Sequence, residues 1–202
     1  MKYRIAALSL FLALPAQAAD TYTLDPMHTS VDWSISHFGF SYPSGKFARV
    51  DGTLTLDEAK PENSKVSATI AIANLVTGID KLNEHLDSPV FFDIAKFPTA
   101  TFVSDKVEPG ANNTAKVYGT LTVHGVAKPV VLDVALNKIG DNMMHKKTAG
   151  FSANTTVKRS DFGMDKFLPG LGDEVKLHIE SEANLAEFPA QPAKPNAAEP
   201  AK

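Results

Sequence analysis

Val117-Tyr-Gly-Thr-Leu-Thr-Val-His124 and Val130-Val-Leu-Asp-Val-Ala-Leu-Asn137 decide the fold class of this 202-residue chain. In the first, Val117, Gly119, Leu121 and Val123 alternate with Tyr118, Thr120, Thr122 and His124. In the second, Val130, Leu132, Val134 and Leu136 oppose Val131, Asp133, Ala135 and Asn137. An extended chain sends successive side chains to opposite faces, so each stretch predicts a strand with one apolar face.

Outward from this pair the same period recurs. Val31, Trp33, Ile35 and His37 share a parity, as do Val66, Ala68, Ile70 and Ile72. So do Phe151, Ala153, Thr155, Val157 and Arg159, and then Val175, Leu177 and Ile179. Thr99 to Lys106 carries Phe102. Lys46 to Asp57 changes parity midway, from Phe47 to Leu54 and Leu56, and a bulge at Asp51-Gly52 would account for it. The total is about eight strands separated by Gly, Pro and Asn, the pattern of an all-β antiparallel meander or barrel. One segment differs. Ile79, Leu82 and Leu86, spaced i, i+3, i+7 among Asp80, Lys81, Glu84 and Asp87, predict a short amphipathic helix ended by Pro89. With the following Val90, Phe91, Phe92, Ile94 and Phe97 it is expected to cover one end of the barrel.

The flanks divide the chain. Lys2 and Arg4, the apolar stretch Ala6 to Leu14 and the small-x-small site Ala16-Gln17-Ala18 read as a secretory signal over residues 1–19. The stretch is too short to span a bilayer. Residues 20–188 form the barrel domain, and 189–202 an Ala/Pro-rich disordered tail. The expected location is the periplasm. Loss of Lys2 and Arg4 takes two from 20 basic residues against 23 acidic ones, an acidic product unsuited to nucleic acid. Cysteine is absent, so neither a disulfide nor a lipoprotein anchor is available.

An eight-stranded barrel is either filled by side chains or wide enough for one ligand. The inward parity here is rich in Val, Ala, Ile, Leu, Thr and Gly, which leaves volume for an apolar guest. The expected lining is Val31, Trp33 and Ile35, then Phe47 and Leu54, then Ile70, Phe102, Gly119 and Leu121, with Phe151 and Ala153. Phe91, Phe92 and Phe162 join it from the connections. His37 and Arg159 extend apolar parities at strand ends, where an inward polar group belongs to a mouth or a paired network. They and Asp161 are candidates for a head group, with an internal hydrogen bond or ion pair, Arg159 with Asp161 for instance, as the plainer alternative.

Other chemistry is not signalled. The six histidines show no H-x-H or H-E-x-x-H spacing, so no metal or cofactor is implied. His85, His124 and His178 read as solvated, and Met143-Met144-His145 as a hairpin turn. Around Ser152, Asn154 stands where a nucleophile elbow needs its second glycine, and no carboxylate pair shares a pocket.

Ordered blocks across Asp20 to Leu185 resemble the YceI family. They are Asp25-Pro-Met-His-Thr-Ser30 with His37-Phe-Gly39 and Ser44-Gly-Lys-Phe47, then His85-Leu-Asp-Ser88, Phe91-Phe-Asp93, Lys96-Phe-Pro98 and Thr101-Phe-Val-Ser104. Gly119 to Pro129, Lys158 to Met164 and Leu171 to Leu177 complete the set. The resemblance implies a lipocalin-like barrel and a polyisoprenoid-type or quinone-like lipid as ligand. It carries over no catalytic motif, and the expected function is binding without catalysis. A filled-barrel stress-response protein and an enzyme acting on a small amphiphile are the rival readings. Oligomeric state stays open, a homodimer included.

Overall fold

The computed structural model describes residues 19–187; the expected signal segment up to residue 18 and the tail beyond 188 lie outside them. The described chain is one antiparallel sheet closed on itself. Its strands are β1 (Asp20–Leu24), β2 (Ser30–His37), β3 (Ser44–Ala48), β4 (Val50–Leu56), β5 (Lys65–Ala71) and β6 (Leu75–Val76). After helix α1 (Asp80–Asp87) come β7 (Thr99–Pro109), β8 (Thr114–Val123), β9 (Val126–Asp141), β10 (Lys147–Lys158) and β11 (Leu171–Leu185).

Eleven strands make an eight-stranded barrel because three staves are broken. β1 and β2 pair with successive parts of β11, Tyr22 opposite Leu185 and Ile35 opposite Val175. They are two halves of the stave that closes the cylinder. The break at Asp25–Thr29 is a local turn in which an Asp25 carboxylate oxygen accepts the Met27 N–H at 2.9 Å. β3 and β4 form the next stave and β5 and β6 the third. The remaining five follow as a meander.

The parity change of the second stave occurs at Arg49, whose left-handed φ of 61° brings Phe47 and Val50 to the same face. The expected bulge at Asp51-Gly52 is therefore displaced by two residues. Gly52 has another role: a Cβ there would run into the Ser67 carbonyl of the neighbouring strand. β1 was not among the strands expected from sequence, yet Tyr22 on it is wholly buried.

The barrel has two unlike ends. The turns at 57–64, 110–113 and 142–146 lie at one, together with Asp20 and Glu187 near the two ends of the described chain. There Lys147 donates to Asp20 at 2.9 Å and pairs with Glu58 at 2.7 Å. The β2–β3 loop, the α1 segment, the His124-Gly125 turn and the 159–170 loop lie at the other. The expected helix and its aromatics are found there, with Leu86, Phe92 and Ile94 packed onto buried core residues.

Candidate functional site

The inward faces do not meet. They enclose a cavity of about 1070 Å³, at the upper edge of the roughly 300–1,000 Å³ usual for small-molecule sites. At about 30 Å³ for each methylene-sized position, near the liquid share of a water, the space suits a chain of tens of carbons. Its lining runs from Asp57, Pro109 and Asn113 at one end to His37, His85 and Phe167 at the other.

Along the wall stand Val31, Trp33, Ile35, Phe47, Leu54, Ile70, Phe102, Leu121, Phe151 and Ala153, with Phe91, Phe92 and Phe162 from the connections. Strand alternation puts them there, and cross-strand pairs such as Val31–Phe47 and Phe102–Leu121 hold the register. Phe47 and Phe92 meet edge to face at 5.6 Å, a favoured aromatic geometry. Ionisable side chains of the lining stand near the ends: Asp57, Glu58 and Lys65 at one, His37, His85 and Arg159 at the other. Between them the wall is apolar apart from the hydroxyls of Thr29, Thr155 and Ser181.

Two expected residues do not belong to this lining. Gly119 faces inward but is covered: the Phe102 ring and the Val103 carbonyl fill the place of its missing side chain, with the nearest atoms at 2.5–2.7 Å from an ideal Cβ. Its lack of a side chain serves strand packing rather than ligand space. Asp161 is exposed on the short 3-10 turn Arg159–Phe162, away from the cavity wall.

Arg159 reaches the cavity edge, but its donors are committed. It is only 5% exposed. Nε donates to the Gly172 carbonyl at 2.7 Å, one terminal nitrogen to Met164 at 2.5 Å and the other to Leu171 at 2.9 Å. Burial lowers its pKa, with Asp173 and Asp165 pulling the other way. Arg159 is thus internally hydrogen-bonded, through a clasp on the chain that follows rather than through Asp161. Asp173 completes it by accepting the Ser160 N–H and hydroxyl at 2.9 and 2.8 Å. His37 is exposed at the mouth beside Phe38.

Sequence reasoning missed three mouth residues. His85 is exposed, as expected of the wet side of α1, but it also lines the opening and stands edge-on to Phe91 at 5.1 Å. The signal was available, since His85 lies three residues from Leu82 and so shares its helical face. Phe38 and Phe167 also line it, and both sit on loops without periodicity. His124 is less solvated than expected: it packs against Phe97 at 4.6 Å, and its Nδ1 lies 3.1 Å from the Phe162 carbonyl oxygen. His178 lies on an exposed face, bound to Asn154 at 2.8 Å and Glu180 at 2.8 Å. Met143, Met144 and His145 occupy the β9–β10 turn, as expected.

Among the described residues one group has donors close enough for a metal ion: Asp25, His28 and Glu182. His28 Nδ1 is 2.8 Å from Asp25 and 4.0 Å from Glu182. The hydrogen bond raises the pKa of His28 and lowers that of Asp25. The group lies outside the cavity lining, and its geometry is that of a clip fixing the broken first stave to β11.

Known proteins give the fold a lineage. The chain is 41% identical over 170 residues to a UPF0312 protein of Pseudomonas fluorescens, covering 81% of this chain and 88% of that one. The crystal structure of a Campylobacter jejuni YCEI protein superposes with a TM-score of 0.69 at 35% identity, over 75% of this chain and 90% of that one. A polyisoprenoid binding domain from Saccharophagus degradans shares the fold at TM-score 0.62 and 16% identity, over 84% of this chain and its own full length. The model of the YceI-like domain matches residues 22–183, so the barrel and nearly all of its cavity wall lie within the match, and the chain belongs to the YceI-like family.

Proposed function

We propose that this protein binds one long apolar lipid, of polyisoprenoid or quinone-like type, along the barrel axis, and that it carries or stores the lipid without catalysing a reaction on it. The observation that carries the reading is the predominantly apolar wall of a cavity of about 1070 Å³ with its ionisable groups near the ends. A filled barrel would leave no such space. The polyisoprenoid-binding fold neighbour supports the ligand class. Burial of apolar area contributes about 25 cal/mol per Å², so several hundred Å² of prenyl chain gives gross stabilisation near 10 kcal/mol. Association entropy takes back a large share. Polar contacts are left to orient the head, with His37 and His85 placed to do so.

The test is a solvent extract of natively purified protein read by mass spectrometry. The expected result is one prenyl-type lipid species at near-stoichiometric amount. A protein that carries none, and takes up none from lipid suspensions, would end this reading.

We further propose that the protein acts in the periplasm after loss of its first residues. Lys2, Arg4, the apolar Ala6 to Leu14 and Ala16-Gln17-Ala18 support it. N-terminal sequencing of the cell-derived protein is expected to begin at Ala19 or Asp20; an intact Met1 on the mature pool would contradict it.

A further inference from the structure

The cavity has a mouth whose surroundings are unusually apolar for a protein surface. Every aromatic side chain that stands well out to solvent among the described residues lies at the α1 end. Phe38, Phe40 and Tyr42 come from the β2–β3 loop, Phe167 with Leu168 from the 159–170 loop, and Ile79 from the start of α1. Phe40 is 91% exposed. Phe38 and Phe167 belong at once to the cavity wall and to this rim. Both hold left-handed backbone, φ 51° and 64°, where a bulky residue is an outlier. The Phe38 N–H donates to the Gly170 carbonyl at 2.8 Å, locking the two loops together. Strain of this kind, held by surrounding structure, is found at ligand clamps.

We propose that this rim seats the barrel, mouth down, on the surface of a zwitterionic phospholipid bilayer, and that the apolar ligand passes between bilayer and cavity there. The proposal rests on the reading that the cavity takes a lipid. Charge selects the kind of surface. The loop 38–43 carries no charged residue, Asp80 adjoins Lys81, Asp165 adjoins Lys166, and α1 adds Glu84 and Asp87. A rim without excess positive charge gains nothing from anionic headgroups, whereas exposed aromatic and aliphatic side chains partition into the interfacial zone of any bilayer. Shape speaks against a second copy of the chain. Stable protein interfaces are centred on packed, desolvated side chains, and the centre of this ring is an opening. A fluid bilayer conforms to a ring as a rigid partner does not.

The experiment is co-flotation of the purified protein with phosphatidylcholine vesicles at low and high salt, against the variant Phe40→Ser/Tyr42→Ser/Leu168→Ser. None of these three lines the cavity. The unaltered protein is expected to float at both salts, and the triple variant to partition roughly tenfold less while binding dansyl-farnesol in solution as tightly as before. Phe40→Trp is expected to float and to shift its emission to the blue on the vesicles. No flotation, equal flotation of the triple variant, or flotation only on phosphatidylglycerol vesicles would overturn the proposal. So would a dimer in sedimentation that the triple substitution dissolves with no flotation, which would give the rim to a second copy. Loss of flotation on removing residues 188–202 would give it to the tail. Failure of the unaltered protein to bind dansyl-farnesol counts against the cavity reading, and flotation still decides the docking.

Discussion

Arg159→Ala is expected to lower the melting temperature by roughly 6–20 °C. The side chain is buried and satisfies three carbonyl oxygens, those of Met164, Leu171 and Gly172, all on the chain that returns from the mouth to β11. Alanine leaves these acceptors with no donor, at about 1–3 kcal/mol for each group left buried and unpaired. Some will find water at the rim, so a total of about 3–5 kcal/mol is expected, and a domain of this size loses about 2–4 °C per kcal/mol. Arg159→Lys should recover little, because one ammonium does not reproduce a planar fork of five donors. The measurement is thermal unfolding by circular dichroism, with hydrogen exchange of the amides between Gly163 and Gly172. Those amides should lose protection first, since the clasp holds the loop that bears Phe167. A shift of less than 2 °C, or full rescue by lysine, would mean that the guanidinium does not hold the loop.

Arg159 also shows where reading the sequence stopped. Its parity announced an inward charge, which is the position it occupies. Its partners are backbone carbonyls on a segment without periodicity, and alternation says nothing about where a loop's carbonyls point. The barrel wall was legible because burial on one face imposes a period of two: Val31, Trp33 and Ile35, or Phe151 and Ala153, go where alternation sends them. Closure was less legible. Asp20-Thr-Tyr-Thr-Leu24 is too short to stand out, although Tyr22 becomes wholly buried between β4 and β11. The parity change from Phe47 to Leu54 was visible, but its place was assigned to Gly52 because glycine tolerates a bulge. Arg49 takes the left-handed conformation instead, and Gly52 is needed where the Ser67 carbonyl presses against it. A glycine in a strand thus has two readings, bulge or close approach, and only the neighbouring strand separates them.

The same ambiguity governs the cavity and yields its sharpest test, because two small inward residues have opposite surroundings. Ala68 lies on β5 with its side chain toward the cavity and only partly covered by neighbours. Ala68→Phe therefore adds a ring to open volume. Lipid-free protein should keep its melting temperature within a few degrees, while extracted lipid per mole falls by about tenfold, equivalent to about 1.4 kcal/mol of binding free energy. Gly119 also faces inward, but the Phe102 ring and the Val103 carbonyl already fill its site. Gly119→Ala forces a methyl against a ring carbon and a backbone oxygen, neither of which gives way cheaply, and overpacking of this kind costs about 1–3 kcal/mol. Its melting temperature should fall in proportion. Lipid content of the folded fraction should barely change, since one methyl is small against about 1070 Å³. The pair is measured by lipid extraction and by the thermal unfolding of delipidated samples. A barrel whose interior is packed in solution would make Ala68→Phe the more destabilising of the two, with no lipid to lose. A lipid carrier makes it the more damaging to binding, with stability kept.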